Sequence, residues 1–296
     1  MIKKHAYLIM AHNKFDMLCH LLELLDDERN DIFVHIDLKA QNIPYDKMKH
    51  SVKKSRLTFV NRVNAVWGDY TLVECEMELL KSAVANDEYQ YLHLLSGLDL
   101  PIKSQDEIHS FFDLHNGEEF LDIETQENDR YIRSRCRYYW LFQHYIGRHS
   151  KKSILRLLEG LNVRIQRTLK VNRIPEQIEI KKGTQWFSIT GDLAKYIVSF
   201  EKVIKKHFKH TFCADEVFLQ TIVYNSDFRS HLFNPKDKEP VSRRLIDWNR
   251  GNPYVFRIED IDMIKDSNCL FARKFDSEVD ADIINEIEKM IREDNI

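Results

Sequence analysis

The chain has 296 residues, 43% of them hydrophobic and 31% charged. That is long enough to bury roughly three quarters of its unfolded surface, and the composition excludes stapled miniproteins, disordered chains and membrane bundles. Lys and Arg total 44 against 47 Asp and Glu, a formal charge of -3, so there is no global basic field of the kind nucleic-acid binders use, and no nucleic-acid partner is expected.

Five cysteines, Cys19, Cys75, Cys136, Cys213 and Cys269, are scattered with no CxxC pair. This predicts free thiols in a reducing compartment and hence a cytoplasmic location. No stretch reaches the ~18 apolar residues of a membrane span, and the apolar run before His12 is too short for a signal segment. The eight glycines never cluster, so both GxGxxG and the P-loop are absent. A phosphorylated ligand would be neutralised by side chains or helix N-termini instead.

In chain order, the apolar run Ala6 to His12 predicts a strand buried on both faces, followed by a helix over Phe15 to Leu25. Asp31 to Asp37, Leu57 to Asn61 and Tyr89 to Leu95 read as further strands, with a helix over Tyr70 to Ala85. This βαβα alternation predicts an α/β fold with a mainly parallel sheet and helices on both faces. Ser104 and Glu107 have capping-box spacing, opening a helix through Phe112. Ligands of such sheets sit at the carboxyl ends of the strands, which marks Asp37 and the loop Ser96 to Lys103.

Glu118 to Glu124 reads as a strand ending in carboxylates. The segment 149–173 carries many basic residues and the single acid Glu159 on a helical apolar pattern of Ile154, Leu158, Leu161, Ile165 and Leu169. It is read either as a solvated face packed on its own domain or as a peripheral membrane or polyanion contact. Farther on, IEIKKGTQWFSIT suggests paired strands, DLAKYIVSFEKVIKKHF one helix, and DEVFLQTIVYN a second helix beginning at Asp215. SRRLIDW and CLFARKF are short strands, and VDADIINEIEKMIRE is a closing amphipathic helix. With no linker and no repeat, the chain reads as a single domain, 1–296.

Candidate chemistry is sparse. His207, His210 and Cys213 are the only dense group of metal-ligand types, without the four-ligand spacing of a structural zinc site. Two DxD strings, at Asp260 and Asp280, fall at helix starts, where capping explains them. In CADEVFLQTI, an acid at the first turn of an apolar helix has the placement of a general base. LFARKF puts Arg273 and Lys274 in an apolar strand, where alternation turns one inward; that cation needs either a phosphate or a buried carboxylate.

Taken together, AYLIMAH, VHID, VWGDYTLV, HLLSGLDLPIKS, KKGTQWFSIT, CADEVFLQTI, RRLIDW and LFARKF resemble the core-2/I-branching β-1,6-N-acetylglucosaminyltransferases and the related peptide O-xylosyltransferases, glycosyltransferase family 14. The resemblance covers Ala6 to Phe275. It implies a GT-A-type fold, with a nucleotide-sugar-binding half at 1–125 and an acceptor and catalytic half at 126–296. It further implies inverting transfer from a UDP-sugar, UDP-N-acetylglucosamine or UDP-xylose, to a glycan or lipid-linked saccharide, with no cofactor and no divalent metal. On that resemblance the UDP contacts fall on Ala11, Asp37 and Trp67, and the base on Glu216, although the proline of the family's pattern is Ala214 here. The pyrophosphate cations fall on Lys274 and Arg244, with Arg243, Arg250 and Arg257 open as alternatives for the second. Sugar contacts fall on Ser96, Asp99, Asp122, Glu124 and Trp186. The readings from other classes are a non-catalytic sugar-nucleotide or glycan-binding protein and a scaffold subunit in polysaccharide assembly, the latter docking through the basic helix at the inner face of a membrane.

Overall fold

The computed structural model describes residues 4–124, 129–147 and 153–293. Among the described residues there are nine strands: β1 (His5–Ala11), β2 (Asn30–Ile36), β3 (Arg56–Phe59), β4 (Tyr91–Ser96), β5 (Asp99–Pro101), β6 (Phe120–Leu121), β7 (Phe187–Thr190), β8 (Arg244–Ile246) and β9 (Phe271–Arg273). A six-stranded sheet runs β3-β2-β1-β4-β7-β6, and a three-stranded sheet runs β5-β9-β8. β1 pairs in parallel with both β2 and β4, and β2 with β3. β7 is antiparallel to β4 and to β6. The fold is therefore mixed α/β on a mainly parallel sheet, as the alternating pattern predicts.

Helices cover both faces. Tyr7, Ile9 and Ala11 of β1 point into one core, shared with helix Phe15–Leu24, helix Gln105–Leu114 and the C-terminal helix Asp282–Glu293. The alternate residues Ala6 and Leu8 enter the other core, with helix Thr71–Asn86, helix Gly191–Ser199 and helix Phe218–Tyr224. Burial on both faces is why these strands read as continuous apolar runs. The capping box is present, with Ser104 Oγ accepting from Glu107 N and the Glu107 carboxylate from Ser104 N. All five cysteines are free and buried.

Four expectations need correction. Within IEIKKGTQWFSIT only Phe187–Thr190 is a strand. The residues before it find partners on helix Phe218–Tyr224 and the residue after it: Thr221 Oγ1 accepts from Lys181 N at 3.1 Å and Asn225 Oδ1 from Glu179 N at 3.0 Å. With its backbone satisfied by side chains, this stretch needs no neighbouring strand. The single helix over 192–208 is two, Gly191–Ser199 and Glu201–Phe208, with Phe200 between them at φ -90°, ψ 4°. The strand over 118–124 shrinks to β6, because the backbone around it pairs elsewhere: Glu119 N donates to His231 O, Glu119 O accepts from Phe233 N, and Glu124 N donates to Lys182 O, while the buried Glu119 carboxylate accepts from Thr190 N and Oγ1.

Finally, no α-helix starts at Asp215. Cys213 adopts a left-handed φ of 49° and donates its N–H to Gly68 O, and Ala214–Glu216 form a 3-10 turn before the helix opens at Phe218.

Candidate active site

The sheet order reverses between β1 and β4, and in open α/β sheets that switch point opens the ligand crevice at the carboxyl ends of the strands. Ala11, the last residue of β1, is buried there, its carbonyl accepting from Asp37 N at 2.9 Å, and Gly97 N donates to Met10 O at 3.0 Å. Asp37 follows β2 and is nearly buried, with Oδ1 accepting from Lys39 N at 2.8 Å and Oδ2 3.2 Å from Lys39 Nζ. The His12 imidazole is held below its ordinary pKa, first by the protein around it and then by the charges of Lys274 and Lys39, against the pull of Asp37. The charge of Lys274, just after β9, thus reaches His12 next to Asp37.

Backbone pairing brings one of the open candidates for the second cation next to Lys274 in the fold. Phe256 N donates to Lys274 O at 2.9 Å and Lys274 N to Tyr254 O at 3.3 Å. The stretch 254–256 therefore runs beside Lys274 and delivers Arg257, which is exposed. The other arginines are engaged elsewhere. Arg244 is fully buried, and its guanidinium donates to Ser188 Oγ at 2.9 Å, Leu94 O at 3.3 Å, Phe187 O at 2.5 Å and Ser242 O. Burial pulls it down to about 10. In this structure the Arg244 Nη1 and Nη2 groups tie β8 to β4 and β7, while its Nε is buried without a hydrogen-bond partner. Arg243 is buried against Asp237 at 2.9 Å, and Arg250 spans Asp247 and Asp260.

Arg273 is the cation that alternation turns inward, and its partner is the buried carboxylate: Nε lies 3.5 Å from Asp99 Oδ1. Asp99 is 1% exposed and also accepts from Ser96 N at 2.9 Å and Ser96 Oγ at 2.5 Å, closing the Ser96 to Asp99 turn. Asp99 therefore shapes the loop from within, and half-buried Ser96 is the member of the pair nearer the surface. The Arg273 guanidinium lies 3.9 Å from the ring centroid of Trp186, itself only 8% exposed. Trp186, read from the resemblance as a sugar contact, thus has one face covered by Arg273.

Glu216 lies on the wall formed by the 3-10 turn. Its side chain is 33% exposed, and Oε2 accepts from Arg135 at 2.7 Å and lies 3.9 Å from Lys182 Nζ. Lys182 also pairs with Glu124, so Glu124, Lys182, Glu216 and Arg135 form one network. Gly183 N donates to Glu216 O at 3.0 Å. A Cβ on Gly183 would lie 1.7 Å from Asp122 O, so only glycine lets these strands of chain cross. Asp122 fastens that crossing, with Oδ2 accepting from Thr184 Oγ1 at 2.8 Å and Oδ1 from Ser242 N at 3.1 Å.

Trp67, 45% exposed, sits edge-on to Phe212 at 5.8 Å, and its carbonyl accepts from Gln143 at 2.9 Å. The loop that carries it starts beside Asp37, where Val63 O accepts from Leu38 N, and ends at Gly68 against Cys213. Trp67 stands at the Glu216 end of that loop.

Behind Glu216 lies a buried acid pair. Asp215 is pushed up to about 7 by burial and then by the charge of Glu216. Glu76, wholly buried, is raised well above the usual carboxylate range by burial and by Asp215. Gln185 donates to Glu76 Oε1 at 2.8 Å, while Glu76 Oε2 and Asp215 Oδ1 have no hydrogen-bond partner. Among the described residues, no three His, Cys, Asp or Glu side chains are grouped to hold a metal ion. The DxD carboxylates act as caps: Asp260 accepts from Arg257 N and Asp280 from Ile258 N, Asp282 N and Ile283 N.

Sequence reasoning missed Arg135, Lys182 and Glu76. Glu76 had a signal, an acid beside Val73, Met77 and Leu80 on the apolar side of its helix. Lys182 adjoins the one glycine of its motif. Arg135 lies in a stretch with no recognisable pattern.

The family model described as Core-2/I-Branching enzyme matches residues 5–265. The human beta-1,3-galactosyl-O-glycosyl-glycoprotein beta-1,6-N-acetylglucosaminyltransferase is 24% identical over 317 residues, spanning 97% of this chain and 69% of that protein. Xylosyltransferase sqv-6 of Caenorhabditis briggsae is 24% identical over 281 residues, spanning 87% of this chain and 33% of that protein, so the chain matches about a third of that relative's length. The apo crystal structure of mouse xyloside xylosyltransferase 1 aligns with 92% of this chain and 97% of its own at a TM-score of 0.42 and 11% identity. The chain belongs to the Core-2/I-branching enzyme family and is a glycosyltransferase.

Proposed function

We propose that this glycosyltransferase moves N-acetylglucosamine, or alternatively xylose, from a UDP-sugar to a hydroxyl of a glycan or lipid-linked saccharide, with inversion and without a divalent ion. The observation that carries this reading is a half-open carboxylate, Glu216, held by Arg135 at 2.7 Å, in a chain where the charge of Lys274 acts on His12 beside the carboxyl ends of β1 and β2. The two walls are physically joined: Lys274 follows Arg273, Arg273 packs on Trp186, and Gly183 bonds Glu216.

In the mechanism, Glu216 takes the proton of the acceptor hydroxyl as that oxygen bonds to the anomeric carbon. The bond from that carbon to the β-phosphate oxygen breaks, and its electrons leave with UDP. Lys274 and Arg257 neutralise the charge that grows on the diphosphate, the part a divalent ion plays in other transferases. Attack from the side opposite the leaving group inverts the configuration, as expected with a single base and no covalent nucleophile. Ala11 and Asp37 border the nucleoside, and Ser96 and Glu124 the sugars.

The test is calorimetric titration of UDP, UDP-N-acetylglucosamine and UDP-xylose in excess EDTA, repeated with manganese. Micromolar UDP binding in EDTA with preference for one sugar supports the reading. Binding that requires manganese contradicts it.

A further inference from the structure

The helix Ser153–Thr168 is inside out. Its inward positions include Glu159 and Gln166, both buried. Glu159 accepts from Leu141 N at 3.2 Å and Phe142 N at 2.6 Å, while Gln166 accepts from Tyr139 N at 2.8 Å and donates to Tyr139 O at 2.9 Å. Polar side chains thus fasten the helix to the backbone of 139–142. The apolar stripe faces away from the protein: Ile154 is 72% exposed, Leu157 73%, Leu158 42%, Leu161 51%, Ile165 51% and Leu169 70%. A helix packed on its own domain presents the opposite polarity. An apolar stripe of this extent marks an interaction surface.

Charge selects the occupant. Arg156, Arg164, Arg167 and Lys170 are exposed on the same helix and the turn after it, and Glu159, the one acid between 153 and 170, is turned inward. Two copies meeting stripe to stripe would bring like charges together with no acid on the outer face to pair them. An anionic lipid surface satisfies both halves of the pattern, taking the leucines and isoleucines below the headgroups and the cations among the phosphates. At 16 residues the helix is too short to span a bilayer, and among the described residues no helix is long and apolar enough to do so.

We propose that helix 153–168 is a membrane-surface anchor that docks the enzyme on anionic bilayers. The segment it grips continues directly from helix Asp129–Arg137, which supplies Arg135 to Glu216. Docking therefore sets the acceptor wall beside the lipid surface. The proposal stands on the helix and does not depend on the identity of the donor.

The experiment is flotation of the full chain with vesicles of phosphatidylcholine alone or mixed with phosphatidylglycerol, alongside light-scattering mass measurement. Binding to the mixed vesicles should exceed binding to neutral ones by about tenfold and fall in high salt. The L161E/I165E variant, altered only at exposed positions, should keep the circular-dichroism melting curve and lose flotation, and R164E/R167E should lose most of it. Wild-type protein that ignores both vesicle types overturns the proposal. So does a dimer that L161E/I165E dissociates without any vesicle binding, since the stripe would then join two copies.

Discussion

Arg135 holds the Glu216 carboxylate at 2.7 Å while its own guanidinium lies 4.9 Å from the Tyr131 ring centroid and 5.5 Å from that of Phe212. A planar cation fixed between two rings presents its donors in one direction, and so fixes where the carboxylate points. Replacing Arg135 by Met should lower turnover by about tenfold to a hundredfold and change UDP affinity little, because the orientation of the base is lost while the diphosphate crevice remains. Lys at the same position should restore part of the rate, as it returns the charge without the fork. Steady-state kinetics together with UDP titration separate the two effects; equal losses in UDP binding and in turnover would refute a positioning role.

On the proposed function, Arg257 and Lys274 meet the diphosphate, while Arg244 is held by protein carbonyls. Arg257→Ala and Lys274→Ala should each weaken UDP binding by about tenfold or more with the melting temperature nearly unchanged. Arg244→Met should do the reverse. It strands the carbonyls of Leu94, Phe187 and Ser242 in the interior, a change worth about 3 kcal/mol or more of stability. Calorimetric UDP titration and thermal melting of the three variants decide it; a folded Arg244→Met protein that melts normally and has lost UDP would restore Arg244 to the crevice.

Stability should carry a pH signature of the acid pair. Asp215 titrates at about 7 in the folded chain, against an ordinary value near 4 unfolded. The folded state therefore favours the protonated acid, and stability is lost as pH climbs between those two values. Asn at 215 mimics the protonated form. The melting temperature of Asp215→Asn minus that of the wild type should grow by several degrees from about pH 4 to about pH 7 and then level off. A difference that stays flat across this range would mean that Asp215 is ionised throughout.

The parallel strands and their helices were legible because burial on both faces leaves uninterrupted apolar runs such as Tyr7 to Ala11. The cap at Ser104 was legible because it is local. RRLIDW did not reveal that both Arg243 and Arg244 are buried, or what each would bond, since that depends on Asp237 and on the pairing of β8 with β9, distant in sequence. The stretch before Trp186 looked like a strand because its residues suit one, yet its partners are side chains on another helix. Arg135 meets Glu216 across 81 residues of chain, and nothing local announces such a meeting. The basic helix was recognised by its pattern, but the sequence could not tell which of its faces meets the protein.

The decisive experiment is to compare Glu216→Gln with wild type for sugar transfer and for UDP binding. If Glu216 takes the acceptor proton, the variant binds UDP as wild type does, melts at the same temperature, and transfers sugar at least about a hundredfold more slowly. Near-normal transfer by Glu216→Gln would show that another group takes the proton, and the mechanism built around this carboxylate would fall.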